Sequence, residues 1–179
     1  MGSVNNSDNL TAAYIDHTAV LHVEGRGSFK ISPPMKQFIH KVIETQSANR
    51  ILVDMSDCTG MDSTFMGVLA GLACMIKSKP AYHFKLINLS DKNKKLLVTL
   101  GVDRVLDFSM SHTDEEQEML DSPSGDTQAL EADFTDKLNA AKTTLEAHET
   151  LVNINPANYN KFKSVLDFLQ EDVRSLSDQ

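Results

Sequence analysis

The sequence has no tryptophan and only two cysteines in 179 residues. The two thiols, Cys58 and Cys74, are too few for the disulfide framework of a small secreted domain, and they fit a reducing cytoplasm better. The six histidines are scattered, and no pair has the helical spacing of metal ligands. We therefore expect a cytoplasmic protein without a metal site, and no motif in the chain calls for another cofactor.

Long apolar runs and excess positive charge are also absent. No stretch approaches the roughly 20 apolar residues that span a bilayer, and the polar start at residues 1–9 lacks the pattern of a signal peptide. The formal net charge is -8, and the basic cluster at residues 92–95 is too short to form the stripe of a nucleic-acid-binding protein. We therefore expect neither membrane insertion nor nucleic-acid binding.

The chain does contain enough apolar side chains for a packed core. Hydrophobic residues make up 41% of it, which is too much for a wholly disordered chain, and its length favours one domain with an appendage. Short apolar strands alternate with amphipathic helices in the order β-β-α-β-α-β-α-β. Such alternation is typical of a layered α/β fold.

The individual elements follow from apolar periodicity and from capping residues. The first two strands are predicted to form a hairpin, with His17 and His22 on its solvent side. Helices are predicted to begin near Ser32, Ser63 and Ser90. The predicted strands cover residues 13–16, 19–24, 51–55, 82–88 and 102–108.

A strand is followed directly by a helix in the segment 51–76. The apolar run at residues 51–55 predicts a buried strand, a polar turn follows, and the helix starts near Asp62 or Ser63. At this position the Ser63 hydroxyl can cap free backbone N–H groups, and a phosphate would meet the positive end of the helix dipole. Gly67 and Gly71 lie four residues apart on this helix, so another element can approach it closely, within the domain or in a protein interface.

A serine hydrolase is the main enzymatic alternative, with Ser63 as the nucleophile. The chain has no Gly-x-Ser-x-Gly motif, and no histidine stands at a motif position that would make it the base. Asp54 and Asp62 could form a carboxylate pair for acid–base catalysis. The simpler interpretation is that Asp62 caps the helix and Asp54 ends a strand, so we expect no enzymatic activity.

The segment Asp54-Met55-Ser56, followed by Asp62-Ser63-Thr64-Phe65-Met66-Gly67, resembles the phosphorylation site of STAS domains, the family of the anti-sigma-factor antagonists. That family has Asp-Leu-Ser after a strand and Asp-Ser-Ser-Gly-Leu-Gly at the start of a helix. The resemblance covers roughly residues 10–109 and implies a mixed sheet flanked by helices. Phe65 stands where the family usually has glycine.

The resemblance also implies a function. Family members bind, when unphosphorylated, an anti-sigma factor that is itself a serine kinase. The kinase phosphorylates the STAS serine, the complex dissociates, and a phosphatase resets the switch, which regulates transcription in bacteria. By this resemblance Ser63 is the phosphoacceptor and Thr64 a lesser candidate. The implied partner-binding residues are Asp62, Ser63, Thr64, Phe65, Met66 and Gly67, with Gly27 and Ser28 from the loop after the second strand.

The composition changes after Phe108. Residues 110–126 are polar and acidic and predict a linker, and residues 127–176 predict a hairpin of two amphipathic helices joined near Pro156. A short hairpin cannot bury both apolar stripes by itself, so it must dock on the core or pair with a second copy. We expect self-association, because a flexible linker does not fix a docking pose. The first stripe consists of Leu130, Phe134, Leu138, Ala141, Leu145 and Leu151.

An alternative function is a constitutive STAS scaffold in a signalling assembly or a transporter complex. In that case the helical tail would mediate oligomerisation, and Ser63 would serve only as a helix cap.

Overall fold

The structure is a computed structural model that describes residues 7–122 and 126–178. Residues 1–6 of the polar start and residues 123–125 of the acidic segment lie outside the described residues.

The described strands form a mixed sheet with the order β6-β5-β3-β2-β1-β7, and β4 pairs with the end of β2. β1 and β2 form the predicted antiparallel hairpin, whereas β2, β3, β5 and β6 run parallel to one another. The strands are β1 (Asn9–Ile15), β2 (Thr18–Gly27), β3 (Arg50–Asp54), β4 (Cys58–Met61), β5 (His83–Ile87), β6 (Asp107–Phe108) and β7 (Gln128–Ala129).

Helices flank this sheet, and the predicted α/β class is confirmed. The helices are α1 (Ser32–Thr45), α2 (Ser63–Lys77), α3 (Asp91–Leu100), α4 (Asp114–Asp121), α5 (Lys137–Ile154) and α6 (Tyr159–Ser177). Two of the three predicted helix starts have the expected caps: Asp62 accepts a hydrogen bond from the Phe65 amide, and Ser90 accepts one from the Asn93 amide. Ser32, by contrast, is already the first residue of α1, and its side chain does not cap it.

Local differences from the sequence prediction concern the ends of the sheet. The strand predicted at residues 102–108 is a 3₁₀ turn at Val102–Arg104 followed by the two-residue strand β6. The predicted polar turn after β3 contains β4, which pairs with β2. The first change shortens the strand at one edge of the sheet, and the second adds a short strand beside the end of β2.

The main core lies between the sheet and the helices α1 to α3. Alternate residues of β3, Ile51 and Val53, join one hydrophobic cluster with Ile39 of α1 and Leu69 of α2, and all four side chains are fully buried. Leu52, between them on β3, is buried as well. A continuous apolar run is what a parallel strand covered on both faces requires, so the core fixes β3 and the turn that follows it.

The acidic segment is not simply a linker. Its residues 114–121 form α4, whose start carries a capping box between Thr113 and Glu116. Glu116 is 1% exposed, and its Oε1 atom accepts hydrogen bonds from Lys85 Nζ at 2.8 Å and from Arg50 at 3.3 Å. These two cations balance the buried carboxylate, so α4 is anchored to the sheet, and the prediction of a linker was wrong for this stretch.

The first tail helix begins later than predicted. Leu130 donates its backbone N–H to the Leu10 carbonyl at 2.8 Å, next to the short pairing of β7 with β1. Phe134 is 74% exposed, and Asp136 caps α5 by accepting a hydrogen bond from the Asn139 amide. Neither Leu130 nor Phe134 belongs to the α5 stripe, because Leu130 bonds to the sheet edge and Phe134 precedes the cap of α5.

The two tail helices form the predicted hairpin, but its first helix docks on the core built by the sheet and α1 to α3. α5 packs along α2, and Ala147 and Leu151 of α5 are 2% and 0% exposed within the main core cluster. The expectation that self-association buries this stripe was wrong, because α2 buries it. Within the part of the chain that the structure describes, no helix combines the length and the apolar character needed to cross a bilayer.

Candidate functional site

The start of α2 is organised by Asp62. Its Oδ1 atom accepts the Phe65 N–H at 2.9 Å, and its Oδ2 atom accepts the Phe29 N–H at 2.7 Å. The Asp62 N–H in turn donates to the Gly27 carbonyl at 2.9 Å. Asp62 is thus the helix cap, and it also ties the loop after β2 to this helix start. Gly27, predicted in the loop, is the last residue of β2, and it lies with Ser28 close to the Ser63 segment.

Because Asp62 supplies the cap, the Ser63 hydroxyl is used elsewhere. Its Oγ atom lies 2.9 Å from Nε2 of His148, and Nδ1 of the same ring lies 2.8 Å from the Thr144 carbonyl oxygen. A carbonyl oxygen only accepts, so Nδ1 carries a hydrogen, and in the neutral tautomer Nε2 is the acceptor. In that tautomer Ser63 donates its hydroxyl hydrogen to His148, a residue of the tail helix α5.

His148 is held from two further sides. His148 is 4% exposed, and the Phe162 ring of α6 packs edge-on against the imidazole with centroids 4.9 Å apart. The hydrogen bond from Nδ1 fixes the ring plane within its own helix. The imidazole is consequently a fixed acceptor above Ser63.

Sequence reasoning missed His148, because this histidine stands at no motif position and yet lies beside Ser63. The two residues are 85 positions apart, so no motif spacing connects them. A usable signal did exist, because His148 lies between Leu145 and Leu151 on the apolar stripe of the predicted tail helix. A histidine on such a stripe is expected to be buried and to need a hydrogen-bond partner.

A serine hydrogen-bonded to a histidine is also the arrangement of an activated nucleophile. Here the third member is a backbone carbonyl rather than a carboxylate, and the main cavities of the described residues are lined by other side chains. Ser63 and His148 meet at the contact between α2 and α5, and they do not open into a substrate pocket. The geometry therefore favours a contact between two parts of the chain over a hydrolytic site.

The backbones of α2 and α5 touch at Gly67. A Cβ atom added there would lie 2.7 Å from the carbonyl carbon of Ala147 and even closer to its oxygen, which is too close for a real contact. A Cβ atom at Gly71 would meet only the Thr150 side chain, at an ordinary 3.7 Å. Gly67 thus permits the close crossing, and the interface suggested by the small residues lies within this chain.

The other residues of the implied partner-binding set are largely inaccessible in this conformation. Thr64, Phe65 and Met66 are 5%, 0% and 4% exposed. The Phe65 ring lies against Gly27, where an added Cβ atom would be 2.6 Å from the ring. Ser28 is 3% exposed, and its hydroxyl donates to Asp8 at 2.6 Å. Phe65 therefore fills the core and does not stand beside Ser63 on the surface.

Asp54, at the end of β3, belongs to a separate polar network. It accepts hydrogen bonds from the Ser56 backbone and hydroxyl, from Asn88 and, at 2.9 Å, from Nδ1 of His22. The other ring nitrogen of His22 lies 3.0 Å from Asp57. The strand pattern had placed His22 on the solvent side of the hairpin. In the structure its ring is part-buried and pairs with two carboxylates. Asp54 is saturated by structural partners.

The same network shifts two pKa values. The hydrogen bond to Asp54 raises the pKa of His22 above 6.5, against the opposing effect of burial. Burial alone would raise the pKa of Asp54, but the hydrogen bonds from His22, Asn88 and Ser56 outweigh it and lower that pKa from 3.8 to about 2. Both shifts favour the charged pair.

We expect the His22–Asp54 pair to make stability depend on pH. The His22 contribution is fully present below pH 6.5 and is lost as the pH rises through the raised folded pKa, whereas the Asp54 contribution is lost as the pH falls from 3.8 towards about 2. The free energy of unfolding, measured with urea, should therefore fall as the pH rises above about 6.5. In the His22→Gln variant the free energy of unfolding should no longer show this fall. The control His83→Gln, at an exposed residue, should still show it. Equal slopes in all three proteins would contradict the assignment.

Comparison with known proteins supports the fold independently. A crystal structure from Thermotoga maritima, described as a candidate anti-sigma factor antagonist, is 19% identical with a TM-score of 0.50, over 61% of this chain and 91% of that chain. The unphosphorylated form of the anti-sigma factor antagonist SpoIIAA, a Bacillus protein, is 18% identical with a TM-score of 0.50, over 61% of this chain and 93% of that chain. At these identities the likeness shows the fold alone. No curated protein sequence matches the chain at a significant level.

A sequence model of the STAS domain matches residues 9–115. This range is more than half of the chain, agrees with the expected range of 10–109, and contains β1 to β6 with the start of α2. It leaves the hairpin of α5 and α6 outside the matched unit. The chain therefore belongs to the STAS domain family.

Proposed function

We propose that this protein is a binding module of the anti-sigma-factor-antagonist type, switched by phosphorylation of Ser63. The observation that carries the proposal is the position of Ser63 as the first residue of α2, with its hydroxyl released from capping by Asp62. Thr64 is the poorer acceptor because it is 5% exposed. The proposed partner is an anti-sigma factor that is also a serine kinase, and a serine phosphatase would reverse the modification.

The position of Ser63 suits a switch that changes binding without unfolding the domain. A kinase would transfer the γ-phosphoryl group of ATP to Oγ, forming the O–P bond while ADP leaves and the hydroxyl proton is released. The product carries a charge of about -2, and the start of α2 favours negative charge. The penalty then falls on an interface that must exclude water from the phosphate. In this proposal the module itself carries out no reaction and regulates transcription in a bacterial cytoplasm.

We expect the cognate kinase to modify the chain at Ser63 and then to bind it less tightly. Intact-protein and peptide mass spectrometry should find one phosphate on Ser63 and none in the Ser63→Ala variant. In a pull-down, Ser63→Asp should retain at least about tenfold less kinase than the wild type, which corresponds to about 1.4 kcal/mol.

The matched control is Ser90→Ala, which alters another helix-start serine far along the chain and should leave both results unchanged. Phosphate confined to Ser28, Ser90 or the tail would contradict the proposal. So would a Ser63→Asp variant that binds the kinase as tightly as the wild type.

A constitutive scaffold stays the second candidate because α6 has an exposed apolar face. Phe168 is 67% exposed and Val165 is 39% exposed, three residues apart on this helix. Oligomerisation through this face would not involve Ser63. Light scattering of the unmodified and the phosphorylated chain separates the two functions, since a scaffold would show the same mass of assembly in both states.

A further inference from the structure

We propose that the hairpin of α5 and α6 is an intramolecular ligand of the α2 face, and that docking of this hairpin and a phosphate on Ser63 exclude each other. The inference rests on the proposed function for its use in the cell, since it concerns the regulation of the same serine. Its structural content concerns this chain alone, because the hairpin lies outside the residues that match the STAS domain.

The first argument is that the hairpin docks on the core through specific contacts, which together form its docking site. The Ala147 backbone rests against Gly67, and Leu151 of α5 is completely buried. The joint between the helices is tied down as well, because the Asn158 side-chain amide donates to the Leu100 carbonyl of α3 at 2.9 Å and to the Leu151 carbonyl at 2.8 Å. Lys36 of α1 adds an ion pair to Glu146.

The second argument is that the docked hairpin occupies the Ser63 hydroxyl with a hydrogen bond. Its hydrogen is donated to His148, and the 2.9 Å separation leaves no room for another group between the two atoms. Ser63 itself is partly buried, and a kinase that uses its hydroxyl must break the bond to His148. The docked hairpin and a modifying enzyme compete for the same atom.

The third argument is that the hairpin cannot stay docked once Ser63 is phosphorylated. The phosphoryl group replaces the donated hydrogen and occupies the space of the imidazole. The ring cannot withdraw, because Phe162 packs on it at 4.9 Å and the Thr144 carbonyl holds Nδ1. α5 cannot slide along α2 without pressing the Ala147 backbone into Gly67.

Burial of the added charge acts in the same direction as the steric conflict. The residues from the start of α5 to the end of α6 include five acidic and five basic side chains, so the hairpin offers a dianion at Ser63 no net positive charge. Burying such a charge without water is costly, while the start of α2 still favours the phosphate once it is solvated. The hairpin should therefore leave as a unit, and the core should stay folded.

The hairpin then behaves towards α2 as the proposed partner does. Both bind the unphosphorylated face, both are excluded by the phosphate, and each must displace the other. Because the coupling between two binding events is reciprocal, a docked hairpin weakens partner binding by the factor by which the partner weakens docking.

The test is hydrogen exchange, followed by mass spectrometry, on the full-length chain with phosphoserine installed genetically at position 63. Amides of α5 and α6 should exchange at least about tenfold faster than in the unmodified chain, while those of β3 keep their protection. The matched control carries phosphoserine at position 90, which also lies at a helix start but contacts α3 instead of the hairpin. It should leave the exchange of α5 unchanged.

Two outcomes would overturn the proposal. Unchanged protection of α5 with phosphate at position 63 would mean that the site accommodates the group under the docked hairpin. Faster exchange throughout β3 as well as α5 would mean that the phosphate destabilises the whole domain and that the hairpin is no separate unit. Because the phosphate is installed without a kinase, either result stands apart from failure of the proposed function, which would appear as a missing modification or unchanged partner binding.

Discussion

The Gly67→Ala variant is expected to detach α5 from α2 while the STAS domain stays folded. The added Cβ atom would lie 2.7 Å from the Ala147 carbonyl carbon, and backbone atoms cannot yield as a flexible side chain can. Overpacking of this kind costs about 1–3 kcal/mol, whereas alanine in place of glycine favours an isolated helix by about 0.8–1.0 kcal/mol. The overpacking cost therefore destabilises the docking of the hairpin, whereas the higher helix propensity of alanine stabilises α2 itself.

Limited proteolysis of the full-length chain measures this effect. The variant should be cleaved within residues 137–177 at least about tenfold faster than the wild type, which corresponds to about 1.4 kcal/mol of lost docking energy. A protected fragment containing the STAS domain should accumulate.

The Gly71→Ala variant is the matched control, one turn further along the same helix. Its added Cβ atom would meet only the Thr150 side chain at 3.7 Å, so cleavage should stay at the wild-type rate or become slower. Equal cleavage of the two variants would show that the close crossing at Gly67 does not govern docking. Phosphorylation at Ser63 should also be faster in Gly67→Ala than in Gly71→Ala if the hairpin restricts access.

The Phe65→Ala variant is expected to lose about 3–5 kcal/mol of unfolding free energy, the range found for emptying a buried aromatic site. Phe65 is fully buried, and its ring fills the space above Gly27. Urea titration should show a lower midpoint with a similar slope, because the surface exposed on unfolding changes little. The matched control is Phe134→Ala: this ring is 74% exposed, and its removal should change stability by less than about 0.5 kcal/mol.

The comparison decides the role of the aromatic ring that replaces the family's usual glycine. A loss below about 1 kcal/mol for Phe65→Ala would mean that the ring is not part of the core. It would then be available to contact a partner beside Ser63, as the resemblance had implied.

Local patterns in the sequence determined the strand–turn–helix unit at the centre of the protein. The apolar run of β3, the capping carboxylate of Asp62 and the helical spacing after Ser63 all act between residues close together in the chain. The caps of α3 at Ser90 and Gly101 were predictable for the same reason. The family resemblance could be identified from this unit because its motif is short and contiguous.

Only the tertiary structure decided what surrounds Ser63. His148 reaches it from 85 residues away, and the seat of α5 depends on a backbone contact at Gly67 that hydrophobic periodicity does not encode. The same holds for α4, whose buried Glu116 needs Arg50 and Lys85 from the sheet. Periodicity and capping specify which elements form and which face of each is apolar, whereas the partner of that face is selected by shape and charge between distant segments. The sequence alone therefore determined the STAS domain and the position of its serine, and packing determined that the chain's own tail covers it.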